Sequence, residues 1–248
     1  MTTKILKAAR ARAARHRAQH DSMILKKDIS APKFNIDEAL RYAGARGIAD
    51  PGTKSLALDC FNEAAGQISY KVCYSFFDMS VSLSEVTFAD KWRADSKALG
   101  GLLQGCDEVI IFAATVGVGL DRLITRYGDI APSKSLMMQS IGAERIEALC
   151  DEFCNEMDAE LSEYGKHLTR RFSPGYADLP LEFQKTIFRL LEPEKHIGLT
   201  LNDSLLMTPS KSVTAIAGVS NHATCYFENG DSKCKTCAKT NCAYRSSL

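Results

Sequence analysis

The sequence predicts an α+β fold in which a mixed or antiparallel sheet packs with long helices. Three observations predict it. Residues 68–83 and 109–115 are rich in β-branched and aromatic side chains, the composition of strands. Residues 134–164 carry Leu136, Ile141, Ile146, Leu149, Phe153 and Met157 three to five positions apart, which is the spacing of one long helix. At 248 residues, with 45% apolar and 25% charged side chains, the chain has the composition of an ordinary globular protein and length enough for a sizeable core.

Taken in order, residues 3–20 read as a weakly amphipathic helix holding Lys4, Lys7, Arg10, Arg12, Arg15 and Arg17 and no acid. The rest of the chain then carries 25 bases against 30 acids. A solvated Ala-rich helix is the simplest reading, and a docking arm for an acidic partner is the other. The stretch lacks the serines of a transit peptide. Pro32 and Pro51 bracket a short helix at 37–45, and a second runs over 54–65. One or two strands fill 68–83. Residues 90–103 return to helical spacing through Trp92, Leu99, Leu102 and Leu103. A strand at 109–115 enters a turn at Gly117 and Gly119, and a helix follows from Asp121. Pro132 and Ser133 open the long helix. Residues 172–180 form a loop, 181–191 a helix and 212–219 a strand. The expected layout is a basic N-terminal helix (1–30), an α+β domain (31–220) and a cysteine-rich metal-binding tail (221–248).

That tail holds Cys225, Cys234, Cys237 and Cys242 in the spacing C-x8-C-x2-C-x4-C, among lysines and almost nothing apolar. A bound metal is the simplest reason for four thiolates there. Zinc would staple the tail and a [4Fe–4S] cluster would add electron transfer; spacing alone does not separate them. Cys60, Cys73, Cys106, Cys150 and Cys154 lie in apolar contexts and read as small core residues. The longest near-apolar run, 109–120, is too short to span a bilayer, and no secretory h-region follows the basic start. The reading is a cytoplasmic protein without a membrane partner. The net charge of +1 gives no global reason to expect nucleic acid.

Two further segments bear on function. Gly117-x-Gly119 between strand and helix could present N–H groups to an anion, but it lacks the third glycine of a dinucleotide fingerprint, and a tight turn with close packing explains it as well. Arg171-Phe-Ser-Pro-Gly-Tyr176 joins a guanidinium suited to a carboxylate, a Pro174-Gly175 turn and an aromatic hydroxyl. By composition alone it is an ordinary turn. His196, just before Ile197-Gly198, fits a helix C-terminus.

The order of motifs nevertheless resembles a known family. Phe112-Ala-Ala-Thr-Val-Gly117 comes first, then Ile146-Glu147-Ala148 on the long helix, Arg171-Phe-Ser-Pro-Gly-Tyr176, Leu191-Glu-Pro-Glu-Lys-His-Ile-Gly198, Met207-Thr-Pro209 and Ser212-Val213. Over residues 85–220 the series resembles the activation (reactivation) domain of cobalamin-dependent methionine synthase. The resemblance implies that domain's fold and the binding of S-adenosylmethionine, with Arg171 at the donor's amino-acid end and Ser173, Pro174, Gly175 and Tyr176 shaping the same loop. It implies working roles in the reaction for Tyr176, which would face the corrinoid, and for Glu147, an acid on the long helix.

Two stretches depart from the family. Its Cys-Pro-Asp-His-Thr-Glu-Lys-like segment is replaced by Ala177-Asp-Leu-Pro-Leu-Glu-Phe-Gln-Lys185, without the histidine, and its aromatic strand by Thr214-Ala-Ile-Ala-Gly218. The chain also has no Asp-x-His-x-x-Gly signature of a cobalamin-binding domain, so the cobalamin is expected on a partner, a corrinoid-bearing methyltransferase. The expected reaction is reductive methylation of that partner's cob(II)alamin by S-adenosylmethionine. Its electron would come from an iron–sulfur cluster on the four tail cysteines, or from flavodoxin or ferredoxin if the tail instead holds zinc. The alternatives are an iron–sulfur corrinoid activator that does not use the methyl donor, and a zinc-stapled interaction module.

Overall fold

The computed structural model describes residues 23–45, 50–83 and 85–221. The expected basic helix at 3–20 and the cysteine tail lie outside the described residues, and the expected extension of that helical unit to residue 30 is corrected, because Leu25–Asp28 form a strand held by pairing with Lys71–Tyr74. The N-terminal half contains β1 (Leu25–Asp28), α1 (Ile36–Tyr42), α2 (Pro51–Ala65), β2 (Lys71–Ser82), β3 (Glu85–Phe88), β4 (Trp92–Asp95), α3 (Lys97–Leu102) and β5 (Glu108–Thr115). Then follow α4 (Val118–Gly128), the long helix α5 (Pro132–Ser162), β6 (His167–Leu168), α6 (Phe183–Leu191), α7 (Pro193–Ile197), β7 (Thr200–Leu201), β8 (Met207–Thr208) and β9 (Ser212–Ser220).

Seven strands form one sheet in the order β4-β3-β2-β5-β9-β6, with β1 added to β2. Every pairing is antiparallel, and β7–β8 is a separate hairpin. β5 is central, from Lys71↔Thr115 to Asp78↔Glu108 on one side and from Glu108↔Val219 to Thr115↔Ser212 on the other. Helices cover both of its faces, which is why Glu108-Val-Ile-Ile-Phe-Ala-Ala-Thr115 shows no polar alternation and is buried from Val109 onward. On one face Ile110, Phe112 and Ala114 pack with α1, α2, α4 and α5. On the other Val109, Ile111 and Ala113 pack with α3, α6 and α7. Phe153, about two thirds of the way along α5, is fully buried and meets Phe112 and Tyr74 at ring-centroid distances of 4.9 and 5.1 Å.

The α+β class and the antiparallel sheet match the expectation. Residues 90–103 do not form one helix: Trp92–Asp95 pair with β3, and Ser96 caps a short helix by accepting from Leu99 N at 3.0 Å. Helical spacing misleads there because Trp92 faces a strand partner, not a helix stripe. β1 and β3 were too short to show a period, and α4 starts at Val118, ahead of the expected Asp121. All five cysteines outside the tail are buried, as expected of core residues. His196 lies in the last turn of α7, where Gly198 takes φ +70° and closes the helix on Glu194 O.

Candidate functional site

Helix α5 places Glu147, Cys150, Asp151 and Cys154 at i, i+3, i+4 and i+7, so they share one face. The chain returns antiparallel to β9 after β6. Thr169 N donates to Gly218 O and Phe172 N to Ile216 O, both at 2.8 Å. These bonds flank Arg171 and fix where its side chain leaves the backbone. The guanidinium then forks across one turn of α5: Nη2 donates to Glu147 Oε2 at 2.5 Å, and Nη1 donates to Asp151 Oδ1. Arg171 is 21% exposed, whereas Glu147 is 42% and Asp151 59% exposed, so the cation is sunk and the carboxylates open to solvent.

Beneath the fork lie the buried Cys150 and Cys154. Burial pushes both thiols up, Cys154 to about 12, so neither is a thiolate at neutral pH. Burial alone would lower the Arg171 pKa; the Asp151 and Glu147 carboxylates beside it reverse the sign, and the net shift is upward. The side chain stays charged at any working pH. The cluster of Arg171, Glu147 and Asp151 therefore carries a net charge of −1 with its carboxylates presented outward.

The next residues turn away from the sheet. Pro174 is buried, and Gly175 takes φ +89°, a left-handed conformation that favours glycine. Gly175 N donates to Leu179 O at 2.9 Å and Leu179 N to Tyr176 O at 3.1 Å, closing a compact loop over the buried Leu179. A side chain at 175 would sit 3.2 Å from Leu181 Cδ1. Ser173 is half-buried, its carbonyl accepting from Tyr176 N at 3.3 Å. Tyr176 is 68% exposed at the loop tip. Arg171 and Glu147 are thus brought into contact, and Tyr176 projects from the same loop without a described bond to either.

Three features were missed in the sequence. Asp151 looks like any acid on a solvated helix face; its four-residue offset from Glu147 was the available signal. Asp178 sits in the stretch that departs from the family and holds the loop in place. It accepts from Ser96 Oγ at 2.5 Å, Lys97 N at 2.8 Å and Ala98 N at 3.3 Å, and the Ser96 hydroxyl leads in lowering its pKa. The third is Glu144–Arg145, sealed in the core, with Arg145 Nη1 and Nη2 donating to the carbonyls of Pro32 and Lys33 at 2.6 and 2.8 Å.

The Gly-x-Gly turn serves packing. A Cβ at Gly117 would strike Ser69 Oγ, and one at Gly119 the carbonyl of Gln67. An open cleft of about 480 Å³ lined by Lys185, Arg189, Glu194 and Asp203 involves α6 and the β7–β8 hairpin, on the sheet face opposite α5, and contains none of the expected site residues. Among the described residues, no helix is long and apolar enough to cross a membrane, and no group of three or more His, Cys, Asp or Glu could hold a metal ion. Cys225, Cys234, Cys237 and Cys242 lie outside those residues.

No curated protein matches the chain in sequence. Among solved structures, the fold is similar to the crystal structure of the MetH reactivation domain bound to AdoHcy. The TM-score is 0.58 at 16% identity, covering 80% of this chain and 79% of that one. The family model of the vitamin B12-dependent methionine synthase activation domain matches residues 102–239, more than half of the chain, and that span includes Glu147, Asp151 and the Arg171–Tyr176 loop. The chain belongs to the vitamin B12-dependent methionine synthase activation domain family.

Proposed function

We propose that this protein reactivates a cobalamin-dependent methyltransferase, in the first instance methionine synthase, by S-adenosylmethionine-dependent reductive methylation of cob(II)alamin held by that partner. The observation that carries the reading is the fork of Arg171 onto Glu147 and Asp151, inside a chain of the activation-domain family. A reactivation domain of similar fold has AdoHcy bound, which supports the same ligand class here.

The donor set suits that ligand. S-adenosylmethionine has a sulfonium, an ammonium and a carboxylate, a net charge of +1, against the cluster's −1. Arg171 binds the donor's carboxylate through guanidinium N–H groups that Glu147 and Asp151 leave free, since the group has five donors and the fork onto the helix uses two. The outward carboxylate of Glu147 favours the cationic part of the donor. Ser173, Pro174 and Gly175 shape the loop that borders the ligand, with Asp178 anchoring it on α3. Tyr176 offers an exposed ring and hydroxyl to the partner's corrinoid. Once reduced by one electron, the corrinoid supplies the nucleophile that takes the methyl group, and the C–S electron pair leaves with S-adenosylhomocysteine.

The C-x8-C-x2-C-x4-C spacing supports residues 221–248 as a metal-binding tail whose Cys225, Cys234, Cys237 and Cys242 hold an iron–sulfur cluster, zinc being the alternative. Such a cluster would supply the electron; with zinc in its place, a docked flavodoxin or ferredoxin would. Residues 31–220 form the donor-binding domain together with β1 (Leu25–Asp28), so the basic helix stops short of Leu25, and the setting is cytoplasmic.

The test is anaerobic incubation of the full chain with cob(II)alamin, a chemical reductant and methyl-labelled S-adenosylmethionine. Label should reach the corrinoid faster than without protein, and the Arg171→Ala chain should lose the increment. Label transfer at the protein-free rate would contradict the reading. Metal analysis and a visible spectrum of anaerobically purified protein decide between cluster and zinc.

A further inference from the structure

Helix α5 changes character at Glu147. From there to its C-cap, Glu163, it carries seven acids and no base, and none of the seven is buried. Its last turn, where the helix dipole is itself negative, holds Glu160 and no base. Among the described residues, two lysine or arginine side chains bond to these acids: Arg171 bridges Glu147 and Asp151, and Lys27 bridges Glu156 and Glu160. Seven charges against two leave the face at −5, with histidine neutral. No other described helix carries more than two acids.

The opposite charge stands in the same chain, outside the described residues. Residues 1–22 hold Lys4, Lys7, Arg10, Arg12, Arg15 and Arg17 against one acid, Asp21, a balance of +5. They join the described structure at Met23, whose carbonyl accepts from Ser75 Oγ at 3.0 Å, and β1 follows at once. β1 lies against the acidic half of α5: its Lys27 Nζ is 2.6 Å from Glu156 Oε2 and 3.0 Å from Glu160 Oε1. Further on, Arg145 holds the carbonyls of Pro32 and Lys33. The chain therefore runs alongside α5 from Glu160 towards Arg145, and residues 1–22 begin at the end of the helix where the acids lie. Glu147 to Glu163 spans about 24 Å, and residues 1–22 cover about 33 Å even at helical rise.

We propose that residues 1–22 dock on this face of α5 as a basic strap, an intramolecular continuation of the contact that Lys27 begins. The match of charge, the point of entry and the reach select the same occupant for the same surface.

Zero-length coupling of the full chain provides the test. A water-soluble carbodiimide joins a lysine amine to a carboxylate in contact with it, so Lys4 and Lys7 report what the strap touches. Unlabelled and heavy-isotope-labelled chains are mixed in equal amounts, coupled, and their linked peptides mapped by mass spectrometry. The strap predicts links from Lys4 or Lys7 to acids between Glu147 and Glu163, within one isotope. Their yield should fall about tenfold at about 1 M salt, where the screening length shrinks to about 3 Å. Links to acids elsewhere, or to none, overturn the inference. Mixed-isotope links overturn it too and assign the face to a second copy of the chain. A quadruple variant, Arg10→Gln, Arg12→Gln, Arg15→Gln and Arg17→Gln, keeps both reporting lysines and removes most of the charge. It should couple about tenfold less and melt about 3 °C below the unsubstituted chain at low salt, the two melts converging at high salt. An unchanged yield of links in the variant contradicts a strap held by charge.

Discussion

Two arginine–carboxylate clusters sit on the same helix, within two turns of each other, and they are built differently. At Glu144–Arg145 everything is closed. Both side chains are at most 3% exposed, the pair bonds at 2.5 Å, Arg145 donates to two backbone carbonyls, and Asn35 N donates to Glu144 Oε1 at 3.1 Å. Phe34 and Phe61, stacked at 4.0 Å, cover the guanidinium at 5.3 and 5.6 Å. That cluster clamps the 32–35 segment to α5 and has no capacity left for a ligand. At Arg171 the cation is sunk but its partners are open, each with an oxygen to spare. The chemical groups are nearly the same; accessible valence separates a fastening from a binding site.

The contrast can be broken from either side. The largest effect belongs to the sealed cluster. Arg145→Met leaves Glu144 buried without its cation, which costs about 3–5 kcal/mol, a fall of roughly 10 °C in melting temperature for a domain of this size. Ligand affinity, measured well below the melt, should hold. Glu147→Gln at the open cluster should do the reverse: a melt within about 2 °C of the unsubstituted chain, as for other exposed substitutions, and about tenfold weaker binding of S-adenosylmethionine.

The smallest effect concerns the loop anchor. The Asp178 pKa is held below its usual 3.8, first by the Ser96 hydroxyl and then by the Lys97 and Ala98 amides. Its carboxylate therefore stabilises the fold fully above that usual value, and the contribution is lost as pH falls through the lowered one. Asp178→Asn should melt slightly below the unsubstituted protein at neutral pH, and the two should converge in strong acid.

The long elements were legible because each repeats its signal. α5 shows its stripe over many turns, and β5 and β9 are apolar runs that only a doubly covered sheet needs. β1, β3 and β4, with four residues each, are defined by their partners across the sheet, which no local pattern contains. At the site, Arg171 and Glu147 could be singled out by motif order, but their contact is tertiary, 24 residues apart in the chain. Asp151 and Asp178 carried no motif, and their roles come from what they meet: Arg171 for one, the start of α3 for the other. The buried Glu144–Arg145 pair was hidden for the same reason, since two adjacent charges on a helix ordinarily read as surface.

The decisive measurement is calorimetric titration of the full chain and of Arg171→Ala with S-adenosylmethionine. Saturable one-to-one binding that weakens about 100-fold on losing the guanidinium, the effect of removing one side of a charge-assisted pair, is the expected result. Identical isotherms for the two proteins, or no heat from the unsubstituted chain, would contradict a donor site built on Arg171.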